Sequence, residues 1–277
     1  MDPVEAIATG TDDDVRALVD AREWYHTIEL RPGVTTPGWF DLRSVVARLP
    51  IPETLAGKRA LDVGTFEGFW AYQLEARGAD VIAIDILDPA QWDWPAGSDA
   101  AVRDAIGARK ARGEGFELVH AALGSSVVRH ELSVYDLDPD RLGRFDFVYV
   151  GSLLLHLRDP VRALERVRNV LTPDGRLLLV DAIDRGLARD RRPLASLDGR
   201  GRPWWWKPNP AGLARMAEAA GFELVEGPTQ VHLPIGRGQR VPAVPFWRLG
   251  TAPGREQWVT RRRGDPHAYL LASDRLR

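Results

Sequence analysis

The 277 residues, 44% of them hydrophobic, suffice for one large core, and a formal net charge of -2 argues against a dedicated nucleic-acid binder, whose usual footprint is strongly basic. The absence of cysteine excludes disulfides, thiolate nucleophiles and sulfur-ligated metals, and no metal is expected. The opening MDPVEAIATG lacks the basic start and apolar run of a secretory signal, and no apolar stretch approaches the roughly 18 residues of a membrane span, so a soluble cytoplasmic protein without membrane contact is expected. Charge is uneven, however. From Val180 onward Lys and Arg outnumber the acids, which keeps an RNA or anionic partner open.

Residues 12 to 30 read as a helix, with Asp12, Asp13 and Asp14 suited to its start and Val15, Leu18, Val19 and Ala21 at helical spacing. The stretch WYHTIELRPGVTTPGWFDLR, rich in proline, glycine and aromatics, reads as a structured loop. From residue 58 strands alternate with helices: RALDVG, then the helix FWAYQLEARG closed by Gly78, then VIAIDI, a polar and helical stretch to about residue 123, and HELSVYDL. FDFVYVGSLLL is a buried strand, DPVRALERVRNVL a helix capped by Asp159 with Pro160 at its first position, and TPDGRLLLVDAI a turn and strand. Past residue 200 come the helix PAGLARMAEAAG and three strand-like runs, FELVEG, VPFWRLG and HAYLLAS, suited to antiparallel edge strands. The alternation predicts a doubly wound α/β fold with a parallel sheet covered on both faces.

Ligands of such sheets bind beyond the carboxyl ends of the strands. At the first exit, GTFEG, a dinucleotide fingerprint needs glycines where backbone amides approach a pyrophosphate. Only Gly64 and Gly68 are present, and bulky Phe66 stands where close approach is required, which disfavours pyrophosphate and a nicotinamide oxidoreductase. S-adenosyl-L-methionine, a donor without phosphate, fits better. Asp62 would help anchor its ammonium, and the turn at Gly64, Thr65 and Phe66 would seat its amino-acid tail. Asp85, followed by Ile86, ends the second strand at about the 20-residue distance where an acid meets ribose hydroxyls. At the third exit Asp136 would accept the adenine N6 hydrogen bond, with Tyr135 and Leu137 sandwiching the ring. At the fourth, Gly151 and Ser152 would lie beneath the methionine portion, with His156 just beyond.

In order, ALDVGTFEG, VIAID, VYDL, FDFVYVG and LTPDGRLLLV resemble the class I S-adenosylmethionine-dependent methyltransferases, over roughly residues 55 to 225. TPGWFDL, VGSLLLHLRDP and WWWKPN resemble, more narrowly, the tRNA wobble-uridine carboxymethyl- and methoxyuridine transferases. The resemblance implies an enzyme with a Rossmann-like, mostly parallel seven-stranded sheet, antiparallel C-terminal strands, and residues 1–54 as a helical lid on a domain spanning 55–277. Three departures stand out. Phe66 replaces the central glycine of the family loop, which is admissible where the turn needs no positive φ. Leu155 stands where the wobble-uridine enzymes carry a tyrosine before the histidine matched by His156. No lysine precedes Lys58, so the second carboxylate of carboxy-S-adenosylmethionine would be poorly paired unless Arg22, Arg31 or Arg43 substitutes.

The expected activity is methyl transfer to an oxygen, or else a nitrogen or carbon, of a small-molecule acceptor. His156 and His26 are the candidate bases, because imidazole titrates near neutral pH; His156 has the alternative role of capping the helix that starts at Asp159. Tyr25, Trp39, Trp204, Trp205 and Trp206 either line an aromatic acceptor pocket or pack in the core, and Trp92 and Trp94 would shield the adenine. Two other readings remain at this stage. One is a tRNA-modifying transferase in which Arg191, Arg192, Lys207, Arg261, Arg262 and Arg263 contact phosphate; the other is an S-adenosylmethionine-binding protein without catalysis. The acceptor and oligomeric state are not set by these residues.

Overall fold

In the computed structural model, which describes residues 2–110, 113–197 and 204–275, the apolar runs pair into one sheet. Its strands are β1 (Arg59–Val63), β2 (Asp80–Asp85), β3 (Val128–Glu131), β4 (Phe145–Gly151), β5 (Leu171–Ala182), β6 (Phe222–Leu233) and β7 (Asp265–Asp274). The order is β6-β7-β5-β4-β1-β2-β3, with β1 to β5 parallel and β7 antiparallel to both β5 and β6.

Successive residues of the central strands point to opposite faces, and each face meets its own helical layer. Ala60, Val81, Phe147 and Leu178 pack with the helices Phe69–Glu75 and Glu114–Leu123. Leu61, Ile84, Val148 and Leu177 pack with Pro160–Asn169 and Pro210–Ala219. The N-terminal segment belongs to the first layer, since Ile7, Val15, Val19 and Trp24 are buried in the same cluster as Phe69 and Phe116. Pro160–Asn169 starts as its sequence requires, with Asp159 accepting the Arg162 N–H. No helix among the described residues is long and apolar enough to cross a membrane.

Three boundaries differ from expectation. The helix from Asp12 ends at Asp20, not residue 30, because Trp24–His26 pairs in parallel with Gly38–Phe40 and the Trp24 indole donates to the Val19 carbonyl (2.9 Å). A shorter helix, Pro3–Thr9, precedes it. HELSVYDL is a strand only to Glu131; Val134–Asp136 forms a 3-10 turn started by Ser133, whose hydroxyl accepts the Tyr135 N–H. VPFWRLG is not a strand. Pro245 has no N–H to give a ladder and leads into a 3-10 turn at Phe246–Gly250, while the edge strand β6 runs on to Leu233.

Two buried side chains set the loops at the carboxyl edge. Asp181 is fully buried and accepts the N–H groups of Leu153 (2.9 Å) and Leu154 (2.7 Å) on Oδ2 and that of Ala182 (2.9 Å) on Oδ1, tying the exit of β4 to the end of β5. Asn209 is fully buried as well. Its Nδ2 donates to the carbonyls of Leu187, Asp190 and Arg192, and its Oδ1 accepts from Leu194 and Gly212.

Replacing Asn209 with Ala leaves several of these buried groups unpaired, each costing about 1–3 kcal/mol, so Asn209→Ala should lower unfolding free energy in urea by about 3 kcal/mol or more. Burial raises the Asp181 pKa to about 6, against the amide donors that favour the charged form. The folded state then holds this proton more tightly than the unfolded chain, so this contribution to stability declines as pH rises from about 4 to about 6 and is level above. Asp62, also raised by burial to about 6, adds to the same slope. Denaturant titrations should therefore show the stability advantage of wild type over Asp181→Asn shrinking by about 2–3 kcal/mol between pH 4 and pH 7.

Candidate active site

A cavity of about 560 Å³ opens at the carboxyl ends of β1, β2 and β4, where the strand order reverses. Its first wall is the loop Gly64–Thr65–Phe66. Phe66 adopts a positive φ of 53°, so the condition under which a bulky residue would be strain-free there is not met. Its N–H donates to Asp85 Oδ2 (2.9 Å) and its ring stacks on Tyr25 (4.8 Å between centroids), which offsets a strain of about 1–2 kcal/mol.

Asp85 borders the cavity at the end of β2 and also accepts the Ile86 N–H on Oδ1 (2.8 Å). Beside it Ile86, Trp92, Ile106, Leu132 and Val134 form an apolar slot suited to a flat purine. Tyr135 lines this end, but Asp136 and Leu137 do not: the 3-10 turn leaves Asp136 exposed and sends Leu137 into the core behind the sheet. Ser133, at the start of that turn, borders the cavity instead.

Two residues of the glycine loop also lie outside the cavity wall. Asp62 is 2% exposed and accepts the Ala71 N–H (3.1 Å), which steadies the following helix. Gly68 starts that helix with φ 89° and faces the Tyr72 ring.

The opposite wall comes from the N-terminal segment, through Tyr25, His26, Trp39 and Phe40. His26 Nδ1 lies 2.8 Å from Glu67 Oε2, while Glu67 Oε1 accepts the Tyr25 N–H (2.7 Å). Both side chains are buried, and the imidazole stacks on Phe69 (5.6 Å). Glu67 escaped the sequence reading although it sits inside GTFEG; an acid in a glycine turn normally faces solvent, and only its partner 41 positions earlier reveals its role.

At the exit of β4, Gly151, Ser152 and His156 border the cavity. Ser152 has φ 50° and its Oγ is 3.0 Å from Nε2 of His267 on β7. Burial lowers the His267 pKa, so this imidazole is neutral at neutral pH. The N–H groups that follow Ser152 are both directed at Asp181, so no pair of donors is left there for an oxyanion.

Asp93 closes the remaining side. Its Oδ2 accepts the Tyr135 hydroxyl (2.7 Å) and the Arg158 N–H (2.9 Å), and its carbonyl accepts the Trp205 indole (2.6 Å). Trp205 also donates its backbone N–H to Leu155, and the Trp206 indole donates to the Arg158 carbonyl. Of the tryptophan triplet only Trp204 borders the cavity; Trp205 and Trp206 staple the segment down instead of meeting an acceptor. None of the three arginines considered for a second carboxylate lines the cavity. Arg22 pairs with Glu114, Arg31 with Asp12 and the carbonyls of Ile7 and Gly10, and Arg43 with Asp41.

Residues 40–227 match the family described as methyltransferase domain. Among curated relatives, the tRNA U34 carboxymethyltransferase of Aeromonas hydrophila subsp. hydrophila is 27% identical over 174 residues, which is 63% of this chain and 47% of that protein. The ubiquinone biosynthesis O-methyltransferase of Acinetobacter baumannii is 27% identical over 121 residues, 44% of this chain and 42% of that protein. The chain thus spans about half the length of the curated relatives it matches. Among solved structures, the N-terminal domain of EvdMO1, determined with SAH and D-fucose, has a TM-score of 0.54 at 16% identity, covering 95% of this chain and 96% of that one. The [4+2]-cyclase SpnF has a TM-score of 0.50 at 20% identity, covering 98% and 96%. These last two likenesses are of fold. The family match extends over more than half of the chain, which therefore belongs to the methyltransferase-domain family.

Proposed function

We propose that this chain methylates a hydroxyl oxygen of a small aromatic acceptor, with His26 as the group that takes the acceptor's proton. The observation that carries this reading is the buried His26–Glu67 pair in the cavity wall. Glu67 occupies Nδ1, which leaves Nε2 for a ligand and supplies a fixed negative charge beside an imidazole that becomes cationic on accepting a proton.

The donor, when bound, supplies a methyl carbon already activated by a sulfonium. What remains for the protein is alignment, water exclusion and proton uptake. Asp85 is suited to the ribose, the Gly64–Thr65–Phe66 loop to the amino-acid tail, and the aromatic faces of Tyr25, Phe66 and Trp39 to a flat acceptor and to positive charge. His156 also borders the cavity and stays a second candidate for proton uptake. Residues 1–54 act in this reading as a lid over a catalytic domain spanning residues 55–277.

The relatives named for tRNA U34 carboxymethyl transfer favour a second reading, tRNA modification with carboxy-S-adenosylmethionine. It is the weaker one, because Arg22, Arg31 and Arg43 are each engaged away from the cavity. Turnover of tRNA would fall steeply with salt, whereas small-molecule turnover would not.

Isothermal titration with S-adenosylhomocysteine should show binding to wild type that is weakened at least about tenfold in Asp85→Ala, the loss of a charged hydrogen bond. Unchanged affinity in that variant would remove Asp85 from the donor site. On a panel of phenols and catechols, His26→Ala should lower kcat by about 10²-fold or more while leaving S-adenosylhomocysteine affinity unchanged. Equal turnover by both proteins would end the assignment of His26 as base.

A further inference from the structure

Lys207 is the one Lys or Arg among the described residues that borders the cavity. Its ammonium lies over the Trp204 ring, 4.2 Å from the centroid, and among the described residues no carboxylate stands within ion-pair distance of it. The acids that share the cavity wall are engaged elsewhere. Asp85 accepts the Phe66 and Ile86 amides, Asp93 accepts Tyr135 and Arg158, and Asp265 sits 3.5 Å from His267. The nearby imidazole of His267 is neutral, and the charge of Lys207 helps to keep it so.

The backbone that carries this lysine is pinned on both sides. Before it, Trp205 and Trp206 are bonded to Leu155, Asp93 and Arg158. Lys207–Pro208 pairs with Ala195–Ser196, and Asn209 follows with its five side-chain hydrogen bonds. An ammonium presented by so fixed a segment to a largely apolar wall is held most favourably when an anion meets it.

Position separates two sources for that anion. Asp85, suited to the donor's ribose, ends β2; Lys207 precedes Pro208, whose carbonyl accepts the Asp184 N–H just past the end of β5, on the far side of β4. Building on the methyltransferase reading, we propose that Lys207 receives a carboxylate carried by the acceptor, so that the substrate is an aromatic hydroxy acid and not a neutral phenol. Trp204 supplies a flat face beside the charge, and the hydroxyl to be methylated lies toward His26.

The test is a set of matched titrations into wild type, Lys207→Met and Lys207→Arg. One pair of probes is 3,4-dihydroxybenzoate and its methyl ester, each titrated in the presence of S-adenosylhomocysteine. The other is carboxy-S-adenosylmethionine and S-adenosylmethionine. Wild type should bind the free acid about tenfold or more tightly than the ester, as a charge-assisted hydrogen bond requires. The preference should fall to within about twofold in Lys207→Met and be largely kept in Lys207→Arg, with S-adenosylhomocysteine affinity unchanged throughout. A Lys207-dependent preference in the donor pair alone would assign the carboxylate to the donor and overturn the acceptor proposal. Equal affinities of acid and ester in wild type would also overturn it, and needs no variant to fold. Failure of S-adenosylhomocysteine to bind wild type would instead defeat the methyltransferase reading on which the proposal rests.

Discussion

Buried aspartates that accept loop amides at the ends of parallel strands are the constraint on which the site depends. Where a parallel strand stops, the N–H groups of the next loop lose the carbonyls of the ladder and must be satisfied some other way. Asp62 takes Ala71, Asp85 takes Phe66 and Ile86, and Asp181 takes Leu153, Leu154 and Ala182. Burying a carboxylate is costly, and the amide donors offset part of that cost. The loops after β1 and β4, in which Phe66 and Ser152 take positive φ, are thereby held in place.

A second set of carboxylates closes the cavity with segments that are remote in the chain. Glu67 draws in Tyr25 and His26 from the N-terminal segment, and Asp93 gathers Tyr135, Arg158 and Trp205. This division has a functional meaning. In the proposed reading, the strand-end aspartates steady the donor side of the cavity, whereas Glu67, Asp93 and Lys207 shape the side where an acceptor is chosen. The fold itself is compatible with different chemistry, as the likeness to the [4+2]-cyclase SpnF illustrates, so the reaction has to be read from these side chains.

Strain and burial are also distributed economically. Phe66 stacks on Tyr25, so the residue that pays for a positive φ is the same one that joins the glycine loop to the aromatic wall. The His26 ring is clamped between Glu67 and Phe69, which restricts it to one orientation before any ligand arrives. For the proposed methyl transfer, such preorganisation is what the reaction most needs from a protein, since a sulfonium donor already activates the carbon.

Local pattern alone determined the alternation of strands and helices, the caps at Asp159 and Gly78, the switch-point location of the site and the place of Asp85 at the end of β2. These are short-range properties: periodicity, capping chemistry and the position of an acid after a strand act within a few residues of the chain. It was otherwise for the end of β3, where a hydroxyl at Ser133 turned the chain early and moved Asp136 outward, and for VPFWRLG, whose apolar spacing resembled a strand but found no partner. Tertiary structure alone decided that Glu67 holds His26, that Asp93 reaches Trp205, that only Trp204 of its triplet faces the cavity, and that Lys207 stands there with no acid paired to it among the described residues. The bonds behind these facts join residues 41 positions apart for His26 and Glu67, 42 for Asp93 and Tyr135, and 112 for Asp93 and Trp205. No periodicity encodes a contact of that kind, because it exists only after the sheet has brought the two loops to the same edge.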